Sequence, residues 1–248
     1  MHVTTSAAAQ MVGAIGTATA VLMVVSPAPT FFRIIRNKTV GSIGVTPYLA
    51  TMLQAALWVS YSVITPNRLA SLITNISCVA FSLLWCMIYL WYCEGKGKML
   101  IKLIALCAFL LAVVVSDLSW IARLHLQPLE TSETLKTEAL GMVSVFFNIL
   151  MYVSPLAAAR RVIQTRSVES MPLALSVMQC VNSMIWAIYS SLVHDPWIMI
   201  PNVCGVVLGV AQLALYALYS KASRSPSDRS RHLNPHGAQE CDSRVACG

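Results

Sequence analysis

The sequence predicts an all-α membrane protein with seven transmembrane helices, built as two parallel three-helix bundles joined by a linker helix. Three observations carry that prediction. The 248 residues are 57% hydrophobic and only 11% charged, against about 25% charged in soluble domains. The apolar residues come in runs that match a bilayer, whose hydrocarbon core takes about 20 helical residues at about 1.5 Å each. The chain also contains one unit twice. Ser26, Pro27, Trp58 and Tyr61 recur 128 residues later as Ser154, Pro155, Trp186 and Tyr189, and Asn75 recurs 127 residues later as Asn202. A repeat constrains the fold before any local feature does.

Taken in order, the apolar segments lie near 11–33, 44–65, 69–92, 100–122, 140–161, 171–193 and 197–220. The opening MHVTTSAAAQM lacks a basic n-region, so the first segment reads as a retained helix rather than a cleaved signal. Each repeat holds three helices, an odd number, so two repeats fused directly would enter the membrane in opposite directions. The segment near 100–122 restores the direction and carries none of the repeated Pro, Trp or Asn marks, which makes it the linker. The domains are therefore 1–98 (first repeat), 99–138 (linker helix and outer loop), 139–220 (second repeat) and 221–248. That last stretch is rich in Ser, Arg and Pro with no apolar period, as expected of a disordered tail.

The positive charges set the orientation. Arg33, Arg36 and Lys38, then Lys96, Lys98 and Lys102, then Arg160, Arg161 and Arg166 follow the first, third and fifth segments. The tail adds Lys221, Arg224, Arg229, Arg231 and Arg244, whereas the opposite side has only Arg68, Arg123 and Lys136. The N-terminus is expected outside or in a lumen, and the tail in the cytosol. The formal charge of +7 is thus a matter of topology, and no nucleic-acid partner is read from it. Six of the eight cysteines sit in apolar segments and two in the tail, with no C-x-x-C pair. They read as small hydrophobes in helix packing, with no disulfide framework, metal site or cofactor. The five His are scattered and form no catalytic set with Ser or Asp, so the chain is not expected to be an enzyme.

Inside the membrane one constellation repeats. Gln54 precedes Trp58, and Asn182 precedes Trp186, by four residues, a spacing that puts amide and indole on one helix face. Asn75 and Asn202 lie in the outer third of the third helices, at roughly the depth of the two indoles. A buried amide in lipid surroundings must find partners. A single one reads as glue between helices; two at equivalent positions, each level with a Trp, read as a polar binding site. Amides beside flat indole faces suit a neutral polyhydroxyl ligand, whose hydroxyls take the amides and whose C–H faces take the rings. No Lys or Arg falls mid-helix, and Asp117 and Asp195 lie near outer ends. Ion-coupled carriers place ionisable groups at membrane depth, so a passive uniporter is favoured. Pro27, Pro47, Pro155 and Pro172 fall in the cytosolic halves of the first two helices of each unit. Matched helix breaks of this kind point to a binding site or hinge.

The motifs SPAPTFFRI, TPYL, MYVSPL, TRSVESMP and IPNVCG closely resemble the SWEET family of sugar transporters, over about residues 11–220. The resemblance implies the 3+1+3 fold, a small-molecule sugar as partner, a lipid surround and assembly as homo-oligomers of unfixed number. It implies that Asn75 and Asn202 bind the sugar between Trp58 and Trp186. Pro27, Pro47, Pro155 and Pro172 would be the proline tetrad that hinges and closes the cytosolic side. Tyr61 and Asp195 match an outer gate formed by a hydroxyl-to-carboxylate hydrogen bond. Asn148 and Met151 match the hexose-type members, where sucrose-type members carry smaller residues. Gln54 and Cys78 depart from the family pattern. The implied activity is bidirectional facilitated diffusion of a hexose such as glucose by alternating access, in the plasma or vacuolar membrane.

Three other readings are weaker. A PQ-loop carrier of amino acids shares the architecture, but Ala28, Tyr48, Leu156 and Leu173 follow the four prolines, so no Pro-Gln pair exists. A seven-helix receptor or retinal protein would not show the repeat, and the last segment has no Lys for retinal. An interaction protein without transport would tolerate loss of Asn75 or Asn202.

Overall fold

The computed structural model of the chain describes residues 6–97, 99–101, 103–105, 108, 130–169 and 171–220, without the side chains of 130–135. The tail, Asp117, Arg123 and most of the predicted linker lie outside these residues. The elements are α1 (Ala7–Val25), α2 (Ala28–Asn37), α3 (Thr46–Ile64), α4 (Leu69–Tyr92), α5 (Glu130–Met151), α6 (Val153–Thr165), α7 (Leu173–Leu192) and α8 (Pro196–Tyr219). No strand occurs among the described residues, as expected where hydrocarbon forces backbone groups to pair within one segment.

The repeat is visible in the backbone itself. Helices α2 and α6 both end on a left-handed residue, Lys38 (φ 53°) and Arg166 (φ 52°), 128 positions apart. The loops after α3 and α7 turn on Asn67 (φ 62°) and His194 (φ 53°), 127 apart. Helices α4 and α8 have 24 residues each and keep the offset of 127. The change of offset therefore falls in one place: the loop before α8 is one residue shorter than the loop before α4.

Two expectations shift. The first segment of each repeat is two helices rather than one, broken at Ser26–Pro27 and at Tyr152. Pro27 and Pro155 cause the breaks, since proline offers no N–H and its ring clashes with the carbonyl four residues back. The joined pieces still form apolar runs of 31 and 30 residues, Ala7–Asn37 and Lys136–Thr165. By length and apolarity five described helical runs are able to cross a membrane, and α3 is not among them. Gln54, Ser60, Tyr61 and Ser62 lower its hydropathy, and the last three are buried; α3 carries polar groups inward. The start of the linker is helical at 96–97, 99–101 and 103–105. Its Met99 and Leu103 pack with Val45, Met52, Cys86 and Cys93.

Packing places the site. In each repeat the third helix lies between the other two, α4 against α1 and α3, and α8 against α5 and α7. Across the molecule the contacts are reciprocal: α1 packs on α7, and α5 packs on α3. The first helix of each unit thus covers the second helix of the other, as a pseudo-two-fold axis requires. Gly16 brings α1 close enough that an added Cβ would lie 3.0 Å from the Trp186 ring.

Candidate functional site

A cavity of about 560 Å³ lies between the repeats. Its wall contains Asn75 and Asn202, Trp58 and Trp186, Gln54 and Asn182, and Asn148 and Met151, the whole set singled out from the sequence. Ala20 and Met23, the first-repeat counterparts of Asn148 and Met151, also line it. None of the lining residues carries a charge.

The asparagines are oriented by their own helices. Asn75 Nδ2 donates to Ser71 O at 2.8 Å, and Asn202 Nδ2 donates to Ile198 O at 2.7 Å. Each commits donor capacity to the preceding turn and leaves its carbonyl oxygen to accept from a ligand. The indoles are braced equivalently. Trp58 meets Tyr61 edge-on at 5.4 Å, and Trp186 meets Tyr189 edge-on at 5.1 Å. The second amide pair is less alike. Asn182 Oδ1 lies 2.9 Å from Thr19 Oγ, whereas Gln54 makes no hydrogen bond to protein among the described residues. Phe147 stands at the position equivalent to Thr19 and offers nothing to bond.

One end of the cavity is sealed. Tyr61 Oη donates to the Asp195 carboxylate, 2.9 Å from either oxygen, and both residues are only 2% exposed. Asp195 also caps α8, accepting from Trp197 N and Ile198 N at 3.0 and 3.1 Å. Arg68 Nε completes the cluster at 2.6 Å from Asp195 Oδ2. Sequence reasoning counted Arg68 only as a loop charge. The signal was there: Arg68 and Asp195 are 127 apart, the offset of Asn75 and Asn202, and each is the N-cap position of its third helix. Opposite charges at equivalent positions meet at the axis.

At the other end the cavity runs out among Pro27, Pro47 and Pro155, and Pro47 is exposed. Pro172 does not line the cavity; it is the exposed N-cap residue of α7. Two third-helix residues, also 127 apart, reach the breaks above. Trp85 Nε1 donates to Val24 O at 2.9 Å, and Gln212 Nε2 donates to Pro155 O at 3.4 Å. The arrangement is a neutral, amide-lined chamber between two indoles, closed by an ion pair at one end and open at the prolines.

The family described as "Sugar efflux transporter for intercellular exchange" matches this chain twice, over residues 10–97 and 138–224. The chain belongs to the SWEET family. It is 35% identical over 219 residues to the bidirectional sugar transporter SWEET7 of Arabidopsis thaliana, covering 87% of this chain and 82% of that one. It is also 35% identical over 215 residues to SWEET4 of Oryza sativa subsp. indica, covering 86% and 80%. A solved eukaryotic SWEET transporter superposes with a TM-score of 0.74 at 30% identity, covering 86% of this chain and 97% of that structure. SWEET proteins are a family of transporters, not of enzymes, and this member shares their multi-pass helical fold.

Proposed function

We propose that the chain is a bidirectional uniporter of a neutral sugar, a hexose such as glucose, working by alternating access. The observation that carries the reading is the pair Asn75 and Asn202, each lining the cavity with Trp58 and Trp186 and with its amide nitrogen committed to its own helix. Sugar hydroxyls donate to their side-chain oxygens while the C–H faces of the ring lie on Trp58 and Trp186. The uncharged wall supports a neutral solute and transport without a coupled ion. Met151 and Asn148, with Met23 opposite, narrow the chamber toward a monosaccharide. The Tyr61–Asp195–Arg68 cluster supports a gate at the outer mouth, whose opening is accompanied by closure at Pro27, Pro47, Pro155 and Pro172. The N-terminus faces outside or a lumen, in the plasma or vacuolar membrane, and the tail faces the cytosol.

The test is uptake of radiolabelled glucose and sucrose, at two external pH values, into cells lacking their own carriers. Glucose uptake that ignores pH, exceeds sucrose uptake and disappears in Asn202→Ala is the expected result. Equal sucrose uptake would overturn the size filter at Met151 and Asn148. Transport of neither sugar by protein confirmed at the surface would sink the sugar assignment.

A further inference from the structure

The residue just before each site asparagine, Thr74 before Asn75 and Pro201 before Asn202, is tied to the first helix of its own repeat. The ties differ in where they start. Thr17 Oγ lies 2.7 Å from Thr74 Oγ, and Thr17 belongs to the unbroken part of α1, nine residues ahead of Ser26, or about 13 Å along the helix. Tyr152 Oη donates to Pro201 O at 2.7 Å, and Tyr152 is the residue in the break itself, between Met151 of α5 and Val153 of α6. Its backbone bridges the two pieces, N–H to Ile149 O and C=O from Leu156 N, both at 3.0 Å.

The second repeat is built around that phenol. A Cβ placed on Gly205 would come 2.6 Å from Tyr152 Oη and 2.4 Å from Ser183 Oγ. Only a residue without a side chain leaves room for both oxygens. Gln179 Nε2 in turn donates to Ser183 Oγ at 3.2 Å. The first repeat has none of this: Val24, Cys78 and Ala55 stand where Tyr152, Gly205 and Ser183 do.

We propose that Tyr152 is a positioning residue that holds the Pro201–Asn202 turn in register with the α5–α6 bend, so that bending there moves Asn202 while bending at Pro27 leaves Asn75 in place. The inference rests on the reading of Asn202 as a sugar contact. It assigns the two asparagines different duties: Asn75 is a fixed shelf on a straight helix, and Asn202 reports the bend.

The experiment is equilibrium binding of radiolabelled glucose to the purified full-length protein, alongside its sugar-free Tm. Tyr152→Phe keeps the ring and removes the hydroxyl that bonds Pro201 O, and it should weaken glucose binding about three- to tenfold with Tm unchanged. Gly205→Ala, whose methyl crowds both the Ser183 hydroxyl and the phenol, should weaken it in the same direction. Pro155→Ala should change the Kd in the wild type and have no further effect in Tyr152→Phe, a coupling read by the double-mutant cycle. Unchanged Kd in both Tyr152→Phe and Gly205→Ala, or a lowered Tm with unchanged Kd, would overturn the positioning role. Additive effects of Pro155→Ala and Tyr152→Phe would overturn the link to the bend. A wild type that binds no glucose would overturn the sugar reading and this inference with it, whereas wild-type binding with indifferent variants removes this inference alone.

Discussion

Each repeat must satisfy carbonyl groups freed where its first helix breaks, beside the cavity. The first repeat uses an aromatic clamp. Trp85 donates to Val24 O and stacks on Phe31, ring centroids 4.6 Å apart and planes 21° apart. Phe31 is held in turn edge-on to Tyr48 at 5.0 Å. The second repeat reaches its break through Gln212 at 3.4 Å, a long hydrogen bond with no stacking behind it. Two copies of one unit meet the same backbone demand with different chemistry, and the chemistry sets stiffness. The bend at Pro27 is packed as a core, while the bend at Pro155 is held by polar contacts that exchange at small cost.

That contrast breaks or sharpens under substitution. The largest effect belongs to what the repeats share. Asn75→Ala and Asn202→Ala should each cut glucose uptake more than tenfold, since in the proposed binding mode each removes hydrogen bonds to a buried ligand. A tolerated substitution at either one would mean the sugar does not span the axis. Next comes the place where equivalent residues are opposites. Arg68→Met leaves the Asp195 carboxylate buried without its cation and should lower stability by about 3 kcal/mol, seen as a fall in Tm. A smaller loss would show that Tyr61 and the two amides of α8 suffice to hold the charge. Trp85→Phe keeps the stack and orphans Val24 O, at a cost of about 1–2 kcal/mol. Gln212→Leu should cost less than Trp85→Phe, and the reverse order in Tm would refute the stiff-and-soft distinction. The smallest difference is expected between Gln54→Ala and Asn182→Ala. Only the latter removes a protein contact, to Thr19, so only it should shift Tm, by a degree or two.

Much of this was legible in the chain. Indole, amide and proline are costly residues inside a membrane, so the recurrence of Trp58, Gln54, Asn75 and Pro27 at offsets of 127 or 128 marked the cavity wall before any coordinate did. The contacts tying the wall together were not legible. Thr17, Thr19 and Thr74 are ordinary helix residues in a sequence, and only the rotation of α1 against α4 and α7 shows which neighbours they meet. Pro27 and Pro155 marked the bends in the first helices, but not that each bend would divide its segment into two helices, at Ser26–Pro27 and at Tyr152. Hydropathy alone undervalues α3 for the opposite reason: its polar residues are numerous because they face the protein, not water. Arg68 was hidden by its address in a loop, where charge is usually a matter of solvation.

The ion pair at the axis also says something about ancestry. Arg68 and Asp195 occupy the same position in the two copies, 2.6 Å apart. Two identical chains related by a two-fold axis would bring the same residue to both sides of that contact, arginine facing arginine or aspartate facing aspartate, and like charges would repel. A bond between unlike partners at a self-facing position is open only to copies that are no longer identical, each free to mutate alone. The seal on this mouth is therefore a product of divergence, acquired after the two halves ceased to share one sequence.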